Sequence, residues 1–301
     1  MIEPQQGMKV DEIVGWAQFA EREGFGYFFR SDHILSMFTE NKGVDSPECW
    51  VSLGAVAANT KTIKFGPMVS PVGFRNPALV ARMACTLDSY SKGRMIMSHG
   101  AGWYEIEYTA HGIPYQGFKQ RKEELIDALR ILRPILEGKR VDYDGRHFSA
   151  HVECFPKPYN GKIPLVVGGR NPKVLDASCE YADEVNIFSS PLEEMIELKS
   201  VVNAKNPKAQ ISQMGSFVIG KDNVEFNERV ARFVKLRGLD SKNPKKELYD
   251  KGVLVGTPEE VVEQINERRK AGISKFYFQI LDTKNMEMVE MLAATLKEYF
   301  K

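Results

Sequence analysis

RMIMSHGAGWYEIEY, residues 94–108, opens with an apolar run of strand length at 95–98. It breaks into His99-Gly100-Ala101-Gly102 and ends in aromatics alternating with carboxylates: Trp103, Tyr104, Glu105, Glu107 and Tyr108. A strand that delivers glycines, rings and acids at its C-terminal end reads as the wall of a site, because glycines let a ligand approach the backbone and rings pack on it. The Gly-x-Gly spacing invites a dinucleotide reading, but the position three after Gly102 is Glu105, and no clean helical period follows at once. A plain loop turn fits the same residues.

Working outward, short apolar runs recur at 25–29, 63–69, 164–168, 184–188, 211–219 and 275–280, with helical patterns between them. Ile13, Trp16, Ala17 and Ala20 mark one apolar face, stopped by Gly24. Leu125, Ala128, Leu129 and Leu132 mark the longest, over about 119–137, where Pro134 is a point of kinking or shortening. Ser46, Asn76, Asn171, Ser190 and Thr257 each precede a proline, which places a capping side chain ahead of a proline at the first helical position. Seven strands alternating with helices imply a parallel sheet, and residues 1–3 read as an eighth strand whose beginning is missing. Eight β/α units in 301 residues favour a closed (β/α)8 TIM barrel over an open doubly wound sheet. No linker-like composition divides residues 1–301, so one domain is expected. The longer connections at 99–118, 138–162 and 220–255 become elaborations of the mouth, with 240–251 charged and exposed.

Composition narrows the function. With 43% hydrophobic residues, 27% charged residues and a net charge of +1, the chain lacks the basic excess of a nucleic-acid binder. No apolar run reaches the roughly 18 residues of a membrane span, and the polar N-terminus has no signal core. Cys49, Cys85, Cys154 and Cys179 are scattered, as in a cytoplasmic protein with reduced thiols. His147 and His151 are four apart but lack an accompanying ligand array, so no metal is expected. Hydrolase and kinase motifs do not occur.

In a barrel, residues just after each strand line the site. After 25–29 come Arg30, Ser31, Asp32 and His33, and a histidine beside a carboxylate is a candidate acid/base, although a solvated turn has the same composition. After 63–69 the loop from Ser70 to Pro77 is either a wall against a planar ligand or a capping turn. After 164–168 come Gly168, Gly169, Arg170 and Asn171, opening a helix. Glycines, a guanidinium and a helix N-terminus suit an anion, phosphate above all, with a plain capped turn as the alternative.

The ensemble resembles the bacterial-luciferase-like flavin and deazaflavin oxidoreductases. The matching stretches are EPQQG, GFGYFFRSDH, residues 63–115, YDGRHF, PKP and IPLVVGGRNPKVLDASCEYADEVN, with a weaker match in VGTPEEVVEQINERRKAGI. EPQQG and FFRSDH point to the coenzyme F420-dependent branch, with FMN-dependent monooxygenases using oxygen, or a non-catalytic flavin-binding protein, as alternatives. The resemblance implies that Ser31, Asp32 and His33 face the cofactor ring, with His33 moving the proton. It places Met68, Val69 and Ser70 behind the ring, where relatives often carry a non-prolyl cis peptide. Gly102, Trp103 and Tyr104 would pack beside the ring, the glycines making room for it, and Gly168, Gly169, Arg170 and Asn171 would hold phosphate. Arg170 and Arg75 are the cations available to the acidic F420 tail. Some F420-dependent sugar-phosphate dehydrogenases have glutamate directly after Gly-x-Gly, where this chain has Trp103. That turns the reading away from a sugar phosphate and leaves Glu105 as the nearest acid, the second candidate catalytic residue. A small organic substrate and a homodimer are implied by the same likeness.

Overall fold

The computed structural model describes residues 1–37 and 43–300. Its first half runs α1 (Val10–Arg22), β1 (Tyr27–Arg30), α2 (Cys49–Asn59), β2 (Lys64–Pro67), β3 (Ser70–Pro71), α3 (Pro77–Ser91), β4 (Met97–Gly100), α4 (Glu105–Ala110) and α5 (Phe118–Leu136). The second half follows with β5 (Val141–Asp144), β6 (Ser149–Val152), β7 (Leu165–Gly169), α6 (Pro172–Ser178), β8 (Glu184–Phe188), α7 (Leu192–Lys205), β9 (Gln210–Ile219), α8 (Asn223–Leu236), α9 (Pro244–Asp250), β10 (Leu254–Gly256), α10 (Pro258–Lys270), β11 (Lys275–Gln279) and α11 (Met286–Tyr299).

Eight staves close the (β/α)8 barrel. β1 pairs with β2, and β4, β7, β8, β9 and β11 follow one another, all parallel. Phe65 of β2 bridges Met95 at the foot of β4. Ile2 is the eighth stave, bridging Arg30 on one side and Ile280 on the other. Its N–H donates to the Phe29 carbonyl at 3.0 Å, while the Met1 amine donates to the Phe278 carbonyl at 3.0 Å. β10 branches from the upper half of β9, and β5 with β6 forms an antiparallel hairpin.

The barrel strands, unlike the hairpin of β5 and β6, are largely buried on both faces, which is why they read as apolar runs. Phe29, Met68, Ile96, Val166 and Tyr277 fill one cluster, while the larger core, including Leu53, Met97, Leu165, Val167 and Leu175, lies with the helices. Gly66 is where β2 and the foot of β4 approach most closely: a Cβ there would stand 2.0 Å from the Ile96 carbonyl oxygen.

Several sequence expectations shift. The strand expected at 95–98 runs from Met97 to Gly100, because β3 and β7 pair with Ser98, His99 and Gly100 and hold them in the sheet. Of the run at 63–69 only Lys64–Pro67 is strand, β2; a cis Met68–Val69 peptide follows, and β3 begins beyond the run at Ser70. Asn76, Asn171 and Thr257 precede helices that begin on proline. The other two Ser-Pro pairs lie outside their helices. α2 starts at Cys49, with the Glu48 carboxylate accepting from the Val51 N–H at 2.7 Å, and α7 starts after Pro191. α5 runs past Pro134 and ends two residues later. The charged segment at 240–251 contains α9, whose Leu248 is buried. No described helix is long and apolar enough to cross a membrane.

Candidate active site

The C-terminal ends of β1, β3, β4 and β7 meet at one mouth. Arg30 closes β1 as a fully buried guanidinium, donating to the carbonyls of Ser31 and Pro47 and to the Ser52 hydroxyl. Ser31 and Asp32, both buried, are turned into the structure. The Ser31 hydroxyl donates to Gln5 Oε1 at 2.7 Å. Asp32 accepts from the Ser70 hydroxyl at 2.7 Å and from both Nη atoms of Arg75 at 2.7 and 3.1 Å. Arg75 is also paired with Glu48. Burial works against its charge, but the carboxylates of Asp32 and Glu48 outweigh that and raise its pKa. Arg75 is therefore committed inside the protein and is not a free cation for an acidic tail.

His33 is the first residue of this segment to reach the mouth. Its Nδ1 donates to Glu107 Oε2 at 2.9 Å, and Glu107 is 1% exposed. The Glu107 carboxylate also accepts from the backbone N–H groups of Ile34 at 2.8 Å and Leu35 at 3.1 Å. Burial pulls the imidazole pKa down, yet the hydrogen bond and charge of Glu107, with Glu3 and Asp32 beyond it, hold it above its ordinary value. Trp103 and Tyr104 stand edge-on to the imidazole, ring centroids 5.7 and 6.1 Å away. With Nδ1 turned to Glu107, Nε2 is the atom available to a ligand.

Glu105 takes no part in this contact. It is exposed at the start of α4, whereas Glu107 and Tyr108 form that helix's buried side. No helix opens directly on Gly102; α4 begins at Glu105, and its turn carries Glu107 inward and Glu105 outward.

The glycines allow close packing at the mouth. A Cβ on Gly100 or on Gly168 would come within 2.6 Å of a Val69 methyl group, so these two glycines make room for Val69. Gly102, with φ +72°, lies against the Tyr108 hydroxyl, 2.2 Å from where its Cβ would be. The surfaces open to a ligand are then half-buried Val69, Gly102, Tyr104, Gly168 and Gly169, together with Trp103, which is 61% exposed. Met68 and Ser70 lie buried beneath them. At the rim, Asn171 accepts from the Lys173 N–H at 3.0 Å and caps α6, while Arg170 is half exposed and paired with Glu194.

Two buried polar groups escaped the sequence reading. Glu3, from the EPQQG stretch, accepts from the side-chain amides of Gln5 at 2.7 Å and Gln279 at 2.6 Å. His99, fully buried in β4, bonds no side chain among the described residues; burial and then the Arg75 charge push its pKa down to about 3, against a contact with the Ser70 backbone that raises it. It is therefore the neutral imidazole, with a single ring N–H, at physiological pH. Away from the mouth, His147 meets Glu123 at 3.2 Å and His151 meets Asp144 at 3.0 Å.

The family described as luciferase-like monooxygenase matches residues 2–275. The chain belongs to it. Among curated relatives, the 5,10-methylenetetrahydromethanopterin reductase of Archaeoglobus fulgidus is 29% identical over 312 residues, covering 89% of each chain. Among solved structures, the coenzyme F420 dependent tetrahydromethanopterin reductase of Methanopyrus kandleri superposes with a TM-score of 0.76 at 21% identity, covering 100% of this chain and 98% of that one. An F420-dependent secondary alcohol dehydrogenase, solved with an F420-acetone adduct, gives 0.80 at 19% identity over 97% and 96%. At these identities the structural likeness establishes the luciferase-like barrel alone.

For this luciferase-like chain, the residue that sequence reasoning missed is Glu107. The helix that turns it inward is only Glu105–Ala110, its buried side marked by Glu107 and Tyr108 alone. Six residues are too few for a helical period to stand out.

Proposed function

We propose that this chain is an oxidoreductase that transfers hydride between coenzyme F420 and a small organic substrate, with His33 carrying the accompanying proton. The observation that bears most weight is the His33–Glu107 pair: a titratable imidazole at a barrel mouth, one nitrogen fixed by a buried carboxylate and the other turned to the open side. The relatives named above by their F420 chemistry support the choice of cofactor.

The residues present fit such a group. A planar ring needs apolar walls, and Val69, Trp103 and Tyr104 offer them. An anionic tail needs a cation at the rim, and Arg170 stands there with Gly168, Gly169 and Asn171, the residues that would hold phosphate. When bound, coenzyme F420 supplies the hydride chemistry. His33 Nε2 gives or takes the proton, Glu107 stabilises the imidazolium and fixes the ring, and the aromatic collar of Trp103 and Tyr104 keeps water from the imidazole. Asp32, Ser70 and Arg75 hold the floor rigid beneath.

A homodimer belongs to the same proposal. α2 reads CWVSLGAVAAN and carries no charge, yet Val51 is 74% exposed and Ala58 is exposed beside half-buried Gly54 and Ala55. On neighbouring α3, Leu79 and Tyr90 are exposed at the same helical face as half-buried Met83. A charge-free α2 face beside the exposed apolar Leu79 and Tyr90 of α3 suits a second copy of itself, and a Val51→Glu variant that sediments as the monomer while the parent sediments as the dimer is the expected result.

The cofactor test is a fluorescence titration of the purified protein with F420 and, separately, with FMN. Binding of F420, with turnover abolished but binding retained in His33→Ala, is expected. Tight FMN binding without F420 binding refutes the proposal, and so does full turnover by His33→Ala.

A further inference from the structure

Arg170 is already occupied. Its Nε and Nη2 donate to the two carboxylate oxygens of Glu194 at 2.7 and 2.6 Å, a two-pronged pairing of the kind a guanidinium also makes with phosphate. Glu194 comes from the first turn of α7, so the pair ties the loop after β8 to the loop after β7 at the mouth. Both side chains remain reachable from solvent, with 50% of Arg170 and 32% of Glu194 exposed. Both are ionised at neutral pH: the Glu194 hydrogen bond raises the Arg170 pKa, and the Arg170 hydrogen bond lowers that of Glu194. An anion arriving at this guanidinium therefore meets a negative charge in the place it would take.

We infer that Glu194 is an internal competitor for Arg170, a carboxylate that fills the guanidinium fork in the ligand-free protein and sets how tightly the anionic part of the cofactor is held. This rests on the proposed function only in taking Gly168–Asn171 as the phosphate end of the site. Glu194 touches no reacting atom; its effect passes through Arg170. A solvent-reachable ion pair costs little to break, so the competition lowers affinity without abolishing it.

The test is a four-protein titration, by fluorescence, of the parent, Glu194→Gln, Arg170→Gln and the double variant, each with F420 and with FMN, at low and high salt. Glu194→Gln is expected to tighten binding of the ligand that binds by about two- to five-fold, the size of an exposed ion pair. The gain is expected to shrink at high salt, where both charges are screened. Arg170→Gln is expected to weaken binding, and adding Glu194→Gln to it is expected to give no further gain. A neutral or weakening Glu194→Gln overturns the inference, as does a gain that persists without Arg170. The pattern is read with whichever cofactor binds, so binding of FMN alone refutes the F420 proposal while the four-way comparison still judges Glu194. Binding of neither ligand by the parent and Glu194→Gln alike overturns both.

Discussion

Replacing Glu107 by glutamine removes one charge at the centre of the site while keeping the shape and one acceptor oxygen. Glutamine Oε1 can still receive the Ile34 and Leu35 N–H groups, which donate at 2.8 and 3.1 Å in the parent. What is lost is the charge-assisted bond from His33 Nδ1 at 2.9 Å. Such a bond to a charged group contributes about 1.5–3 kcal/mol, which corresponds to about ten- to a hundred-fold in the proton affinity of the imidazole. Burial, which already pulls the His33 pKa down, would then act against a weaker opposition. The sign follows from the raised folded pKa of His33. The parent holds the full stabilisation from this group below the unfolded-state pKa and loses it as pH rises through the folded value. Glu107→Gln should therefore lower the His33 pKa, flatten the fall in stability across that window, and move the corresponding limb of the kcat/KM profile to lower pH. Histidine-resolved NMR titration of the protein alone measures the first effect, and denaturant unfolding at several pH values measures the second. An unchanged His33 titration in Glu107→Gln would refute the reasoning, since no other described group bonds that imidazole through an anion.

Three further outcomes follow from the packing. Gly168→Ala should drive a Cβ to 2.6 Å from Val69 and cost about 1–3 kcal/mol of stability by denaturant melt; Val69→Ala in the same chain should restore most of it, and failure of that rescue would mean Val69 is not the obstacle. Asp32→Asn leaves Arg75, largely buried, with Glu48 as its one carboxylate; burial outweighs Arg75 and raises the Asp32 pKa, so part of the loss is offset and about 1–3 kcal/mol of lost stability is expected, while no loss would show the Asp32 charge to be unimportant. Glu21 joins α1 to the turn before β2. Burial opposes its charge, but the N–H groups of Thr62, Ile63 and Lys61 outweigh this and bring its pKa down to about 2. A depressed carboxylate stabilises above its unfolded pKa and loses that contribution as pH falls toward 2, so Glu21→Gln should show a shallower acid limb in its stability profile than the parent.

The barrel was legible because parallel strands buried on both faces are short apolar runs, and runs at 164–168, 184–188 and 275–280 became β7, β8 and β11 nearly residue for residue. The misplacements share a cause: pairing partners are not written locally. His99 and Gly100 are poor strand residues that β3 and β7 hold in the ladder from both sides. In the site, His33, Trp103 and Tyr104 do come together, since strand-end position alone puts them at the mouth. Which carboxylate meets His33 depended on a helix of six residues, too short to show its period. The partners that occupy Arg75 and Arg170 come from the end of β1, the cap of α2 and the first turn of α7, remote in sequence, so a guanidinium that looks free in the chain is paired in the fold.

The central claim is that this mouth takes coenzyme F420 and that His33 works there as its proton carrier. The most direct measurement is an equilibrium titration of F420 fluorescence against the parent protein, with FMN as the competing ligand. Saturable F420 binding that FMN does not displace at equal concentration is the predicted result. Stoichiometric FMN binding with an undisturbed F420 signal would contradict it.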